Sequence, residues 1–328
     1  MGKSSDFYYN SNTENWDFET ANLKGSFQPE GEKNGLKSLI HKSTGVDVVH
    51  SKYNWSLNLF MLFSNNLCMG QARLIDRTFQ VERDKISISY SPVDNSSSQD
   101  SNLFTVNHKV ALNVIYQFKE PNIVDIEITA DFKWPYPGYE VFLSNYFNPA
   151  MSPFVYVSGS PFDEPPDQPK WISPDSNDVF LGTGLVFSRD QHAAKKSIDG
   201  RWDRIWGLYQ WNPQRYYALP MIAQVDIKHN LAAIIMSHPT DCFSVTSGYS
   251  SLNPKDPFSD QNPMYMSFFG DDMLPGDVKT VKARMVVDTI NTSLDDLSTG
   301  AYKDFLDEYY PGHGGIDRYI RSTTLGKK

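Results

Sequence analysis

The chain has 328 residues, of which 40% are hydrophobic and 14% are aromatic, and its formal net charge is -9. This length allows one large β domain or two ordinary domains, and the negative charge argues against nucleic acid and other polyanions as general partners. The 18 Tyr, 20 Phe and 7 Trp exceed the needs of a core of this size, so we expect some rings to line a groove.

The N-terminal sequence MGKSSDFYYN contains no apolar segment, so we predict no signal peptide, and no run in the chain approaches membrane-spanning length. We therefore expect no membrane partner, and the compartment stays open between the cytoplasm and the periplasm of a bacterium. The oligomeric state is open as well. Two cysteines, Cys68 and Cys242, lie in apolar surroundings and are predicted to be buried free thiols.

The first 30 residues are polar and rich in Asn, Ser and Glu, and we expect an arm that packs across the domain. From Gly35 onward, short strand-like runs such as LKSLIHK and SLNLFMLFS alternate with turn sequences. The run NIVDIEITADFKW alternates apolar with polar residues, which is typical of a sheet with one wet face. Residues 158–178 are rich in Pro, Asp and Ser without periodicity, and a loop of this length is usually functional.

A helix is predicted only in the C-terminal region, where Ser293 can cap it and where it would end near Tyr309. Many short strands with almost no helix indicate large antiparallel sheets stacked face to face. The predicted organisation is an N-terminal arm over residues 1–30, an all-β antiparallel sandwich over 31–290, and a C-terminal helix and tail over 291–328.

Polar and aromatic groups crowd together at the end of one predicted strand, in the segment GYEVFLSNYFNPAMSPFVYV at 138–157. Tyr146 lies there between Asn145 and Asn148. Sugars carry hydroxyl edges and C–H faces, so they need hydrogen-bonding groups beside flat apolar surfaces. We predict Tyr146 as a catalytic residue and the two amides as substrate-binding residues. The alternative is an ordinary strand end with capped turns.

Two short segments, DGRWDR and QRYY, combine arginine with aromatic residues. A guanidinium pairs with a carboxylate through two parallel hydrogen bonds, and a neighbouring ring can cover a sugar face. The alternatives are a surface Arg–Asp ladder and an ordinary strand start. We predict Arg201 as a catalytic residue, and the predicted substrate-binding residues are Trp202, Arg204, Arg215, Tyr216 and Tyr217.

Histidines at strand ends are further candidates. His50 follows the strand VDVV, and His238 follows the apolar run ending in IIMS, so both are predicted to be catalytic; His192 is predicted to bind substrate. A structural role is the alternative for each. The remaining histidines are expected in polar turns or on wet strand positions: His41, His108, His229 and His313. No pair of His or Cys has ligand spacing, so no metal and no cofactor is expected.

Three segments together resemble the galactose mutarotase-like β-supersandwich family over roughly residues 30–290. MLPGDVKTVKARMVVD resembles the family's closing hairpin, in which a Pro-Gly-Asp or Pro-Gly-Glu turn precedes the last long strand. GLKSLIHKSTGVDVVH resembles its first hairpins. LSNYFN at 143–148 resembles a shortened form of the mutarotase segment that carries a catalytic His before Tyr-Phe-Asn. The resemblance implies an antiparallel β-supersandwich with a carbohydrate ligand.

Two departures separate the chain from true mutarotases. The His that would precede Tyr146 is absent, and SHPTDCFSVTSGYSS holds no Glu where the family's carboxylate base is expected. The chain is more similar to supersandwich polysaccharide lyases and sugar dehydratases, among them an ulvan-oligosaccharide dehydratase, which use Tyr, His and Arg.

This resemblance implies a carbon–oxygen lyase that performs β-elimination on a uronic-acid-containing oligosaccharide. Such an enzyme is either a dehydratase that removes water from a non-reducing-end uronate or a lyase that cleaves the chain. An Arg or amide would hold the carboxylate, a Tyr or His would remove the C5 proton, and another would protonate the leaving C4 oxygen. The alternatives are a non-catalytic carbohydrate-binding protein and an aldose 1-epimerase-like isomerase. The expected partner is an anionic oligosaccharide.

Overall fold

The structure is a computed structural model that describes residues 6–65, 67–93, 108–174, 183–196, 209–211, 215–248 and 261–320. Within these residues the strands form three sheets. The five-stranded sheet contains β1 (Tyr8–Asn10), β2 (Asn15–Glu19), β3 (Leu23–Gln28), β4 (Gly35–His41) and β5 (Val46–Asp47).

The two larger sheets are mostly antiparallel, and among the described pairs β15 with β16 is the parallel exception. The seven-stranded sheet has the order β16 (Tyr209–Trp211), β15 (Thr183–Ser188), β19 (Cys242–Ser247), β20 (Pro263–Met273), β12 (Tyr136–Tyr146), β6 (Asn58–Ser64), β7 (Leu67–Gln71). The nine-stranded sheet has the order β14 (Lys170–Ile172), β13 (Ser152–Val157), β17 (Tyr217–Asp226), β18 (Leu231–Ser237), β21 (Val278–Thr289), β11 (Ile123–Phe132), β10 (Val110–Lys119), β9 (Lys85–Tyr90), β8 (Arg77–Val81).

Alternation along the strands produces the core. On β11, Ile126 and Ile128 are buried, whereas Glu127 and Thr129 between them stay partly exposed. One continuous apolar cluster draws residues from all three sheets, including Phe27 in the five-stranded sheet. Opposite faces of neighbouring sheets bury their apolar side chains against each other, as in other sandwiches. The predicted all-β antiparallel sandwich is confirmed.

The nine-stranded sheet is apolar on its second face as well. Ile234 and Met236 on β18 point away from the main core and pack with Phe305 and Leu306 of helix α2 (Leu294–Tyr309). The Ser293 hydroxyl caps this helix by accepting from the Asp296 N–H at 3.0 Å. The predicted C-terminal helix is therefore confirmed, and it covers a sheet face that would otherwise be exposed.

A buried ion-pair network joins α2 to the nine-stranded sheet. Arg284 on β21 donates to both carboxylate oxygens of Asp125 on β11, at 2.6 and 2.9 Å. It also donates to Glu308 of α2 at 2.5 Å, and Lys119 pairs with both carboxylates. The side chain of Arg284 is 2% exposed. Because the charge is buried, its partners are needed to neutralise it.

The turn between β20 and β21 is formed by residues 274–277. Asp277 accepts from the Leu274 N–H at 2.8 Å, and Gly276 adopts φ +93, a conformation that costs glycine little. The predicted turn before the last long strand is thus present. In the sheet, β21 lies between β18 and β11.

The described part of the predicted arm forms β1 to β3, and Phe18 packs against Phe118 with ring centroids 4.1 Å apart. The domain boundaries stay predictions.

A second helix, α1 (Gln191–Lys196), was not predicted. It is too short to give a helical pattern, and Asp190 starts it by accepting from the Ala193 N–H at 2.8 Å.

Both cysteines are free thiols, as predicted, but only Cys242 is fully buried, and Cys68 is partly exposed. In the described part of the chain, neither α-helix is long and apolar enough to cross a membrane.

Candidate functional site

The candidate site lies at the end of β12, where the regular pairing between β6 and β12 stops at Asn58–Ser144. The next residue back along β6, Leu57, is fully buried in a left-handed conformation with φ +58. Such a backbone costs a branched residue about 1–3 kcal/mol. It turns the chain out of the sheet and directs residues 53–55 over Tyr146.

Ser56 replaces the missing strand pairing with its side chain. Its hydroxyl accepts from the Tyr146 N–H at 2.9 Å and donates to the Tyr146 carbonyl at 2.7 Å. The same carbonyl accepts from the His50 N–H at 3.0 Å. The backbone of Tyr146 is therefore fixed from two sides.

An aromatic cluster surrounds the Tyr146 ring, and we define it as Tyr53, Trp55, Phe60, Tyr146 and Tyr265. Tyr53 stacks on Tyr146 with ring centroids 5.8 Å apart, while Trp55 and Tyr265 meet it edge-on at 5.5 and 6.4 Å. Phe60 stacks on Tyr265 at 6.3 Å. These separations are those of favourable ring pairs. Tyr146 and Tyr265 are 5% and 8% exposed, whereas Tyr53, Trp55 and Phe60 are partly exposed.

The two buried phenols have different electrostatic surroundings. Burial raises the pKa of Tyr146, but hydrogen bonds from the Tyr265 hydroxyl and the Trp55 indole, together with the charge of Arg73, oppose that rise. Burial raises the pKa of Tyr265 well above its ordinary value, and the neighbouring Tyr146 raises it further. Hydrogen bonds and a cation therefore favour the phenolate form of Tyr146, whereas the neighbouring Tyr146 disfavours the phenolate form of Tyr265.

Arg73 is the cation whose charge opposes the rise that burial causes in the pKa of Tyr146. It lies in a short 3-10 turn (Ala72–Leu74) after β7, and its Nε donates to the Gln71 side chain at 2.5 Å. Its guanidinium carbon lies 5.8 Å from the centre of the Phe60 ring. In the part of the chain that the structure describes, no carboxylate forms an ion pair with Arg73 and its two terminal amino groups donate no hydrogen bond. This half-buried guanidinium thus keeps a fork of donors for an anion.

His50 is close to Tyr146, as its predicted role requires. It is 4% exposed, and its ring contacts Tyr53 edge-on at 4.9 Å. Its Nδ1 accepts from the N–H groups of Lys52 and Tyr53 at 2.9 and 3.3 Å. Since backbone N–H groups only donate, the proton of neutral His50 resides on Nε2.

Asn145 and Asn148 hold backbone around Tyr146. Asn145 is fully buried; its Oδ1 accepts from the Leu57 N–H at 3.2 Å and its Nδ2 donates to the Met264 carbonyl at 3.4 Å. Asn148 donates to the Asp47 carbonyl at 3.0 Å and accepts from the backbone N–H two residues on. The amides predicted to bind substrate are thus engaged in positioning the strand end.

Arg215 lies in another part of the molecule and has a carboxylate partner. It donates to Asp163 at 2.8 Å, and Lys170 pairs with the same oxygen at 2.7 Å. These two cations lower the pKa of Asp163 to about 2, the hydrogen bond from Lys170 being the larger cause. The Arg215 guanidinium, which was predicted to bind a substrate carboxylate, therefore binds a carboxylate of the loop at 158–174.

Tyr216 and Tyr217, the other predicted residues of this region, also form hydrogen bonds within the protein. The Tyr216 carbonyl accepts from the Ser158 hydroxyl at 2.8 Å, and the buried Tyr217 hydroxyl donates to the Cys242 carbonyl at 2.6 Å. His192 is exposed on α1. Arg201, Trp202 and Arg204 lie outside the described residues.

His238 is not brought to Tyr146. Its ring stacks on Tyr310 at 4.1 Å and meets Tyr319 edge-on at 4.9 Å, on the side of β18 that faces α2. Burial lowers its pKa, although the charge of Asp241 opposes that change. The expectation that the remaining histidines lie on wet positions is wrong for two of them, His41 and His108, which are 3% and 0% exposed.

The sequence predicted Tyr146 and His50, which the structure brings close together, and it did not point to the rest of the cluster. Tyr53 and Trp55 follow His50 at a strand end, and this spacing was an available signal. Tyr265 and Arg73 gave none, because pairing of distant strands brings them to Tyr146. No group of three or more His, Cys, Asp or Glu side chains within the described ranges could hold a metal ion.

No protein-family model matches this chain, and no curated protein matches its sequence. Similar solved structures include an Escherichia coli K12 protein provisionally described as an aldose 1-epimerase, with 6% identity over 84% of this chain and 99% of that one and a TM-score of 0.49. A galactose mutarotase-like protein from Lactobacillus casei has 10% identity over 84% and 100% of the two chains, with a TM-score of 0.44. Galactose 1-epimerase from Lactobacillus acidophilus has 9% identity over 87% and 97%, with a TM-score of 0.45.

None of these three names describes a dehydratase or a lyase. At identities of 10% or less and TM-scores below 0.5, these likenesses carry no argument about the activity or the family of this chain.

Proposed function

We propose that this protein binds a carbohydrate at the aromatic cluster and performs β-elimination on a uronic acid residue of it. The observation that carries the proposal is the guanidinium of Arg73, which keeps unused donors beside the hydrogen-bonded phenols of Tyr146 and Tyr265. The partly exposed rings of Tyr53 and Trp55 offer faces for the C–H surfaces of a sugar.

Each group has a role in the elimination. Arg73 holds the uronate carboxylate through two hydrogen bonds and stabilises the negative charge that spreads onto it when C5 loses its proton. Tyr146 takes the C5 proton in its deprotonated form, which the hydrogen bonds from Tyr265 and Trp55 and the charge of Arg73 favour. The electron pair of the C5–H bond forms the C4–C5 double bond, and the C4–O bond breaks. Tyr265 gives its proton to the departing oxygen.

The leaving group decides the reaction class. If C4 carries a free hydroxyl, water leaves and the enzyme is a dehydratase; if C4 carries a sugar, the chain is cleaved and the enzyme is a lyase. An aldose 1-epimerase would instead need a carboxylate base and an acid on the two sides of one ring. Glu140, the buried carboxylate of β12, precedes Tyr146 by six residues, about 20 Å along a strand, so the two cannot share one sugar ring.

The test is an absorbance screen over uronate oligosaccharides, because a 4,5-unsaturated uronate absorbs in the near ultraviolet, with mass spectrometry of the products. We expect Tyr146→Phe to lower turnover by roughly 10²- to 10⁴-fold while sugar binding stays within a few-fold. Arg73→Ala should lower turnover by about 10²- to 10³-fold. Arg83→Ala is the matched control, since Arg83 is exposed and pairs with Asp6 far from the cluster.

Three outcomes would contradict the proposal. Binding of oligosaccharides without any product indicates a carbohydrate-binding protein. A change of optical rotation with common aldoses, measured by polarimetry, indicates an epimerase. Full turnover in Tyr146→Phe removes this phenol from the mechanism.

A further inference from the structure

Three cationic side chains lie over rings of the aromatic cluster. The Nζ of Lys33 lies 5.0 Å from the centre of the Trp55 ring, and the Nζ of Lys52 lies 5.0 Å from the centre of the Tyr53 ring. Arg73 lies over Phe60. Each contact is favourable, since the ring face is negative. With Lys37 we call these four residues the basic collar: Lys33, Lys37, Lys52 and Arg73.

Within the described ranges, no carboxylate pairs with any member of the basic collar. Lysines elsewhere do have partners, as for Lys42 with Glu19 at 2.6 Å and Lys303 with Asp307 at 2.6 Å. The chain carries 39 Asp and Glu against 30 Lys and Arg, so acidic partners are abundant overall. A group of unpaired cations around aromatic rings is therefore a local departure from the charge of the whole protein, suited to an anionic ligand.

Lys37 indicates that positive charge is crowded here. Its Nζ donates to the Lys33 carbonyl at 2.6 Å, so the two lysines are neighbours in space. Burial, and secondly the charge of Lys33, lower the pKa of Lys37 to about 8. An anion between these ammonium groups would remove the repulsion and replace the water that burial has taken away.

Lys33 and Arg73 lie at opposite ends of the cluster. Between them the ring contacts run from Trp55 to Tyr146, then to Tyr265 and Phe60. This order of contacts favours two anionic groups on neighbouring sugar residues over one carboxylate shared by Lys33 and Arg73.

We propose that Lys33 and Lys37 form a second anion subsite, so that the ligand is an oligosaccharide with anionic groups, carboxylate or sulfate, on at least two neighbouring residues. This inference rests on the proposed sugar site at the aromatic cluster. Arg73 takes the uronate of the reacting residue, Lys33 and Lys37 take the anion of the next residue, and Lys52 adds positive charge beside the Tyr53 ring.

The test measures binding calorimetrically, so it is independent of turnover. The probes are galacturonic acid, its linear trimer, the same trimer with its carboxylates reduced to alcohols, and a sulfated disaccharide. We expect the trimer to bind roughly tenfold or more tightly than the monomer, because a second charged hydrogen bond is added. The reduced trimer should lose this gain, and salt should weaken binding of the trimer more than of the monomer. Relative affinities of the trimer and the sulfated disaccharide show whether carboxylate or sulfate is preferred.

Variants locate the subsite. Lys33→Gln with Lys37→Gln should weaken trimer binding roughly tenfold and leave monomer binding unchanged, whereas Arg73→Ala should weaken both. Lys303→Gln is the control, because Lys303 is exposed on α2 and paired with Asp307. Equal affinities for monomer and trimer, or equal effects of the lysine variants on both, would overturn the inference. Charge-dependent trimer binding without an unsaturated product would instead preserve the subsite and defeat the elimination.

Discussion

Replacing Ser56 by alanine tests whether its hydroxyl holds Tyr146 in place. The variant removes one buried hydroxyl that both accepts from the Tyr146 N–H and donates to the Tyr146 carbonyl. The carbonyl still accepts from the His50 N–H at 3.0 Å. Only the Tyr146 N–H is then left without a partner, and Tyr146 is 5% exposed, so water has little access to it.

The expected loss of stability follows from this single unpaired N–H group. A buried donor without a partner costs about 1–3 kcal/mol, so Ser56→Ala should lower the free energy of unfolding by about 1–3 kcal/mol and not by twice that amount. The effect on activity should be larger than stability alone explains. At a temperature where the variant is fully folded, we expect a lower kcat with little change in KM, because Tyr146 acts on the reacting atoms and Ser56 does not touch the sugar.

Urea unfolding followed by tryptophan fluorescence measures the first quantity, and the slope against urea should stay unchanged. Ser91→Ala is the matched control, because Ser91 is exposed and changes at such positions stay within about 0.5 kcal/mol. A loss below about 0.5 kcal/mol for Ser56→Ala would refute the reasoning. Equal activity of the two variants would show that Tyr146 needs no support from this hydroxyl.

Three further predictions concern stability and reactivity. Asp125→Asn should lower the free energy of unfolding by about 3 kcal/mol, measured in urea, because Arg284 would keep a buried charge with fewer partners; an unchanged midpoint would contradict this. Burial lowers the pKa of His108 from 6.5 to about 3, so the unfolded chain binds the extra proton and stability falls as pH drops through this window, by up to about 1.4 kcal/mol per pH unit. Unfolding midpoints between these pH values should therefore vary less in His108→Gln, and an unaltered slope would refute the assignment. Iodoacetamide should modify Cys68 in the folded protein and spare Cys242, whose pKa is raised by burial; mass spectrometry after proteolysis gives the answer, and modification of both would contradict the burial.

The fold could be predicted from the sequence where the signals are local. The alternation in β11 assigned its two faces, and Ser293 marked the start of α2, because strand pleat and helix cap are read within a few residues. The short helix α1 gave no such signal. Both faces of β18 are buried, and the sequence indicated this only by a continuous apolar run. It did not show that α2 covers one of these two faces.

The candidate site was only half predictable for the same reason. Tyr146 and His50 could be predicted as candidates because each lies where a strand leaves its sheet. The sequence predicted Arg215 and not Arg73, because a sequence does not show which arginine has a carboxylate partner. In the structure Arg215 has Asp163, whereas no described carboxylate pairs with Arg73. Ionic partnership depends on tertiary contacts, and residue types alone do not determine it.

The position of β21 has a consequence for synthesis of the protein on the ribosome. β21 follows every other described strand in the chain, yet it lies in the interior of the nine-stranded sheet, between β18 and β11. Until residues 278–289 have emerged, the two parts of that sheet each present an open edge of unpaired N–H and C=O groups. Such edges pair readily with other chains, so the nascent protein is most prone to aggregate just before this strand inserts. Chaperones that shield strand edges should therefore matter most late in translation.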